Sequence, residues 1–265
     1  MSSIISVANL VRKFDEFRAV DDISFDVEEG EIFAFLGPNG AGKSTTIKIL
    51  TTLLKPTSGR IKINGHDPVV QKDEARKSFG IVFQDQSIDE NLTAYENMYF
   101  HAVLYKVPRE IRKSMIEELF RYVELWERRK DLVKTFSGGM KRRLEIARGL
   151  LHNPKILFLD EPTLGLDPQT RNHIWNYIKE INKNDGMTVF FTTHYMDEAE
   201  KIADRIAIMD HGKIIATGSP GDLKSQTGTS NLEDAFLALT GKSIRDEEIS
   251  GIDRLRNMRR RGGRH

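Results

Sequence analysis

The chain has 265 residues, of which 30% are charged and 39% hydrophobic, with a net charge of +1 and no cysteine. This composition excludes disulfides and thiolate metal sites; no apolar run approaches the roughly 20 residues of a membrane span, and the N-terminus lacks the basic-then-apolar order of a secretion signal. The last twelve residues hold Arg254, Arg256, Arg259, Arg260, Arg261 and Arg264 and no acid, which leaves the body weakly acidic with no sign of a nucleic-acid-binding surface.

In chain order, residues 4–27 read as antiparallel strands, short β-rich runs broken by the polar pairs Arg12-Lys13 and Asp21-Asp22. Residues 31–36 form a buried-strand pattern that runs into Gly37, Pro38, Asn39, Gly40, Ala41, Gly42, Lys43 and Ser44. This is Gly-x4-Gly-Lys-Ser. Glycines let the backbone turn tightly, so that successive N–H groups cradle phosphate oxygens. Lys43 can then reach the β- and γ-phosphates, and the Ser44 hydroxyl can ligate Mg²⁺. Residues 45–54 read as the helix leaving the loop, with Ile47, Leu50 and Leu54 on one face. The loop therefore opens onto a helix N-terminus, which favours anions. Nucleotide binding is the expectation.

Residues 59–65 read as a strand closed by the turn Asn64-Gly65, and residues 79–83 as a buried strand ending at Gln84. Over 93–129 the pattern turns helical, with Leu119, Val123 and Trp126 at three-to-four spacing, and predicts an inserted helical subdomain. Met140, Leu144, Ala147 and Leu151 mark one face of a further helix, which Pro154 terminates. Residues 156–159 are apolar throughout, as a central parallel strand is. A helix carrying Ile174, Tyr177, Ile178 and Ile181 follows, then strands at 188–191, 205–209 and 213–216. Strands alternating with helices predict a largely parallel, doubly wound α/β sheet. A short helix over 232–239 precedes a polar tail expected to be poorly ordered.

Asp160 and Glu161 directly follow the strand at 156–159. Ligands of open parallel sheets gather at the carboxyl ends of strands. Asp160 is thus placed to hold Mg²⁺ through its water shell and Glu161 to accept a proton from an attacking water. An acidic pair also simply ends surface strands, and only the phosphate loop in the same chain tips the balance. His194 and Gln84 each end a strand at the same sheet edge, and each alone is a weak signal. Ser137, Gly138 and Gly139 precede a helix, where they form either an ordinary cap or a second anion site. A second site makes sense if it serves a nucleotide held by another copy of the chain.

Residues 37–44, Gln84, the stretch FSGGM at 136–140, residues 156–161, the triplet Leu166-Asp167-Pro168, and His194 occur in the order and spacing of an ATP-binding cassette ATPase. They resemble its Walker A, Q-loop, signature, Walker B, D-loop and switch histidine, and the resemblance covers residues 4–240. FSGGMKRRLEIAR at 136–148 and LEDAFLALTG at 232–241 are similar to the drug-resistance, daunorubicin-type branch of exporter ATPases.

The resemblance implies a P-loop NTPase (RecA-like) core with a mainly parallel sheet and an N-terminal antiparallel β subdomain. It implies a 1–240 cassette with a helical subdomain at about 85–153, then an Arg-rich tail over 241–265. It implies ATP and Mg²⁺ as cofactors. Phe14 falls where the family stacks a tyrosine on adenine. Lys43 and the backbone of Gly40, Ala41, Gly42, Ser44 and Thr45 would hold phosphates, with Ser44, Gln84 and Asp160 around Mg²⁺. Glu161 would be the general base and His194 a γ-phosphate contact. Ser137 and Gly139 would grip the nucleotide of a partner subunit, and Asp167 would signal across that interface. Two copies would sandwich two ATP molecules on the inner face of the cell membrane, attached to a separate transmembrane permease. The aromatic segment at 95–100 is expected to be mostly core, with a share in that contact. Met140 departs from the glutamine commonest at its position. A soluble cassette ATPase not engaged in transport, an importer subunit and a small-molecule kinase remain the alternatives.

Overall fold

The computed structural model describes residues 3–241; the expectation for the tail beyond them lies outside the described residues. β1 (Ser3–Phe14) and β2 (Phe17–Glu28) pair antiparallel, each twelve residues long. The polar pairs do not break these strands as expected. Register shifts fall between Leu10 and Arg12 and between Arg12 and Lys13, and Asp22 takes φ +57°, so the strands absorb the polar residues as bulges.

β3 (Ile32–Leu36) enters the glycine loop and α1 (Lys43–Leu50) leaves it. The helix stops short of Leu54, because Thr52 turns left-handed at φ +67°. β4 (Ser58–Ile63) adds to the first sheet in the order β2-β1-β4, and its Asn64-Gly65 turn has positive φ at both residues, as a tight hairpin turn requires. α2 (Lys72–Lys77) leads to β5 (Phe79–Val82), which ends two residues before Gln84 rather than at it.

The helical stretch comes as two helices, α3 (Ala94–Leu104) and α4 (Arg109–Tyr122), divided by Lys106 at φ +57° and Pro108. A full capping box of Thr93 and Glu96 starts α3. Val123 and Trp126 lie beyond α4, with Glu124 at φ +55° between them and Trp126 in a single 3₁₀ turn. α5 (Gly138–Leu150) then runs back to β6 (Ile156–Asp160). The chain continues through α6 (Pro168–Asp185), β7 (Thr188–Thr193), α7 (Met196–Ile202), β8 (Arg205–Asp210), β9 (Lys213–Gly218), α8 (Pro220–Thr227) and α9 (Leu232–Thr240).

The second sheet has the order β5-β6-β7-β3-β8-β9, parallel except for β9, which returns antiparallel to β8. Its alternation sends successive residues to opposite faces. Phe33 and Phe35 of β3, Phe158 of β6 and Phe190 of β7 face the antiparallel sheet; Phe33, Phe35 and Phe190 meet Phe25 of β2, and Phe158 packs on Phe190. Ala34, Leu36, Leu157, Leu159, Val189 and Phe191 face the opposite way, onto α6, α7 and α9. A sheet buried on both faces must be apolar throughout, and each fully buried phenyl contributes roughly 2–3 kcal/mol. A third apolar cluster joins α3, α4 and α5 through Met98, Ile116, Phe120, Leu144 and Leu151.

Candidate nucleotide site

The carboxyl ends of β3, β6 and β7 lie side by side, with Leu36 opposite Thr193 and Asp160 opposite Thr192. The residues just past each strand end are therefore delivered to one place. Lys43 is buried at the start of α1, and its ammonium donates to the carbonyls of Gly37 (2.7 Å) and Pro38 (3.0 Å). Gly42 sits at φ +104°, and a Cβ there would fall 2.5 Å from the Ala19 carbonyl oxygen, so only glycine closes this loop.

The Ser44 hydroxyl donates to Asp160 Oδ1 at 3.0 Å, and the Thr192 hydroxyl donates to the same oxygen at 2.6 Å. Glu161 takes φ +47°, rare for a glutamate, and its N–H donates to Thr192 Oγ1 at 3.0 Å. That turn aims the carboxylate at Lys43 Nζ, 3.5 Å from Oε1, and at His194 Nδ1, 3.2 Å from Oε2. Burial pushes the Glu161 carboxyl up, but His194 and the Lys43 ammonium outweigh burial and hold it below the usual carboxylate value. For Lys43 the balance is reversed. Loss of hydration lowers the ammonium more than Glu161 and Asp160 raise it.

A cleft of about 480 Å³ opens beside these groups, lined by Phe14, Phe17 and Ala19, by residues 39–45, and by Gln84 and Glu161. Phe14 is 41% exposed, and the Arg12 guanidinium lies 4.4 Å from its ring centroid, covering one face of the ring. Gln84 is exposed within the same cleft. Hydroxyl, carboxylate and amide oxygens are the hard donors that Mg²⁺ takes. Among the described residues no group of three or more His, Asp or Glu could hold a metal by itself. An ion here would depend on phosphate oxygens to complete its shell, and the donor set of Ser44, Asp160 and Gln84 fits that arrangement.

Ser137 and Gly139 do not line this cleft. Ser137 is exposed and caps α5, its Oγ accepting from the Met140 N–H at 3.3 Å. Gly139 packs on α6, where an added Cβ would fall 2.5 Å from Thr170 Cγ2. Asp167 caps α6 through the Thr170 N–H and hydroxyl, which hold its carboxyl below the usual value. Met140 packs half-buried against the cluster of α3, α4 and α5, an apolar contact that suits methionine at the departed position. Sequence reasoning misses Thr192, which holds both Asp160 and Glu161. A threonine inside a strand reads as β-propensity, so only its neighbours reveal the role.

A glycine-rich phosphate cradle, with a lysine, a carboxylate–hydroxyl pair and a buried glutamate at parallel strand ends, defines a nucleoside-triphosphate-hydrolysing phosphate-loop protein. The family model described as ABC transporter matches residues 20–164. The linearmycin resistance ATP-binding protein LnrL of Bacillus subtilis (strain 168) is 40% identical over 96% of this chain and 80% of its own. The daunorubicin/doxorubicin resistance ATP-binding protein DrrA of Streptomyces peucetius is 43% identical over 86% of this chain and 69% of its own. Among solved structures, the dimeric MJ0796, a bacterial ABC transporter cassette, superposes with TM-score 0.74 at 30% identity, over 81% of this chain and 98% of that one. The chain belongs to the ABC transporter family, as an ATP-binding cassette that hydrolyses ATP.

Proposed function

We propose that this chain powers export across a membrane by binding and hydrolysing ATP as a pair of identical copies, joined to a separate membrane-spanning subunit. The observation that carries the reading is the division of the site. Lys43, Ser44 and Glu161 line one cleft, with Asp160 hydrogen-bonded to Ser44 and His194 to Glu161, whereas the Ser137 tip stands exposed outside it. A second copy, turned head to tail, would supply Ser137 and Gly139 to the nucleotide on the first.

In this reading Phe14 stacks the base on the ring face that Arg12 leaves free. Lys43 and the N–H groups of residues 40–45 hold the phosphates, and Ser44, Gln84 and Asp160 hold Mg²⁺. Bound Mg²⁺ would neutralise charge on the phosphates. Glu161, kept ionised by His194 and Lys43, orients the attacking water and accepts its proton. His194 keeps Glu161 aimed and is positioned to contact the terminal phosphate. Asp167 caps α6 through Thr170, the residue packed on Gly139, and from there meets the other copy.

Export is favoured over import by the likeness to resistance ATP-binding proteins. No helix among the described residues is long and apolar enough to cross a membrane; in this reading the membrane-spanning part is a separate subunit. The face of α3 that exposes Tyr99, Phe100, Val103 and Leu104 suits an apolar helix of that subunit. Of the aromatic segment, Tyr95 stacks on Phe120 and Met98 is fully buried, which leaves Tyr99 and Phe100 for the contact. In this reading the region of about 85–153 is the partner-facing subdomain of a 1–240 cassette at the inner membrane face. The test is the specific ATPase rate across a dilution series, with detergent pull-down from membranes. Falling specific rate on dilution and recovery of a membrane-spanning protein are expected. A rate independent of dilution removes the shared site.

A further inference from the structure

One face of α5 is charged where it should be apolar. Arg142 is 6% exposed and Glu145 1%, and they pair at 3.1 Å. A buried ion pair is a poor source of stability, because desolvation offsets the attraction and an apolar pair of similar size does as well. Its hydrogen bonds show what it holds. The two terminal nitrogens of Arg142 donate to consecutive carbonyls, Phe83 at 2.6 Å and Gln84 at 3.2 Å. Glu145 Oε1 accepts from the Ser87 N–H at 2.7 Å, and one turn on, Arg148 donates to the Ser87 carbonyl at 2.7 Å and to its hydroxyl.

Arginine's rigid fork fixes the orientation of the peptides it binds. The backbone from 83 to 87 is thus locked to α5, although Gln84 and Ser87 are themselves exposed. Below this lock, helix and strand are in backbone contact. A Cβ on Gly80 of β5 would fall 2.2 Å from the Gly149 carbonyl oxygen, and His152 Nε2 lies 2.9 Å from the Phe79 carbonyl oxygen. Ser137 caps the same helix five residues before Arg142, about 7.5 Å of helix rise.

We propose that Arg142 and Glu145 are positioning residues that bind the loop of Gln84 to the helix capped by Ser137. The part each chain applies to its own nucleotide and the tip it lends to its partner's nucleotide then shift as one piece. The proposal deepens the split-site reading above and rests on it. A change at Gln84 in one site is delivered through α5 to Ser137 in the other, without passing through the cleft floor at Lys43.

The test uses the full chain with Mg-ATP and a double-mutant cycle. Arg142→Met with Glu145→Leu replaces the pair by apolar side chains of similar size. The variant is expected to melt as cooperatively as the parent and to bind ATP with unchanged affinity. Its kcat is expected to fall by about ten- to a hundredfold through misplacement of the loop. Placed in a Gln84→Ala background, the pair substitution is expected to cause no further loss. Losses that multiply, or a full rate in the folded pair variant, overturn the proposal. An unchanged rate in Gln84→Ala alone overturns the reading beneath it as well. If the pair variant does not fold, Arg142→Lys carries the same cycle, since it keeps the charge but reaches only one of the two carbonyls.

Discussion

The cleft at Lys43 and the tip at Ser137 are both helix N-termini with glycines at the helix start, Gly42 just before α1 and Gly138-Gly139 within the first turn of α5, yet they are built in opposite ways. At α1 no side chain caps the first turn, and the surrounding polar groups are buried and hold one another. At α5 the cap is the exposed Ser137 itself, whose hydroxyl accepts a long bond from Met140 and keeps its own hydrogen free to donate. One N-terminus is assembled within the chain; the other presents donors outward. A helix N-terminus attracts anions in either setting, but only surrounding structure decides whose anion it holds.

Four substitutions probe this difference between the two N-termini. Glu161→Gln removes the base from the buried site. The ATPase rate is expected to fall by about 10²–10⁴-fold, while ATP drives a stable dimer in gel filtration; an unchanged rate removes Glu161 as base. Ser137→Arg attacks the exposed tip. ATP affinity of the isolated chain is expected to hold while the ATP-dependent dimer is lost, with about 10²-fold of the rate. Normal dimerisation by this variant would remove the difference between the two N-termini.

Thr192→Val tests how far the buried site depends on its support. It deletes the hydroxyl that serves both Asp160 and the Glu161 N–H, leaving a buried donor unpaired at a cost of about 1–3 kcal/mol. A lower melting temperature and a roughly tenfold slower rate are expected, with ATP affinity little changed. The smallest effect is in pH. Pairing depresses the Glu161 carboxyl, so the base stays ionised above that value and the acid limb of kcat falls below the usual carboxylate range. The same group stabilises the fold above its unfolded pKa, and that contribution fades as pH drops through the folded value. His194→Ala removes the largest lowering influence, so burial pushes the carboxyl up and the acid limb should move to higher pH. A limb that stays put would separate His194 from Glu161.

Much of the fold is legible in the sequence because its signals are long or chemically specific. The apolar strands at 156–159 and 188–191, the Ile174-to-Ile181 helix face and the glycine loop all stand where their patterns put them. α2 and α7 leave no such trace, being six and seven residues of mostly polar sequence, too short for a periodic face. α8 does carry a signal in Ser219, Pro220 and Asp222, a capping box with proline at the first turn. The strands β1 and β2 look broken in the sequence because bulges that accommodate polar residues leave no mark in a linear pattern.

Residue order alone supplies the chemistry on offer: a loop for phosphate, two carboxylates at a strand end, a serine–glycine cap, and their succession along the chain. Residue types and short spacings carry that information because backbone geometry acts over only a few positions. Which groups meet is settled by packing. Thr192 reaching Asp160 and Glu161, Arg142 and Glu145 gripping residues 83–87, and Ser137 left outside the cleft are contacts made across the fold. Strand order and helix packing set those distances, and neither is written in any local run of residues.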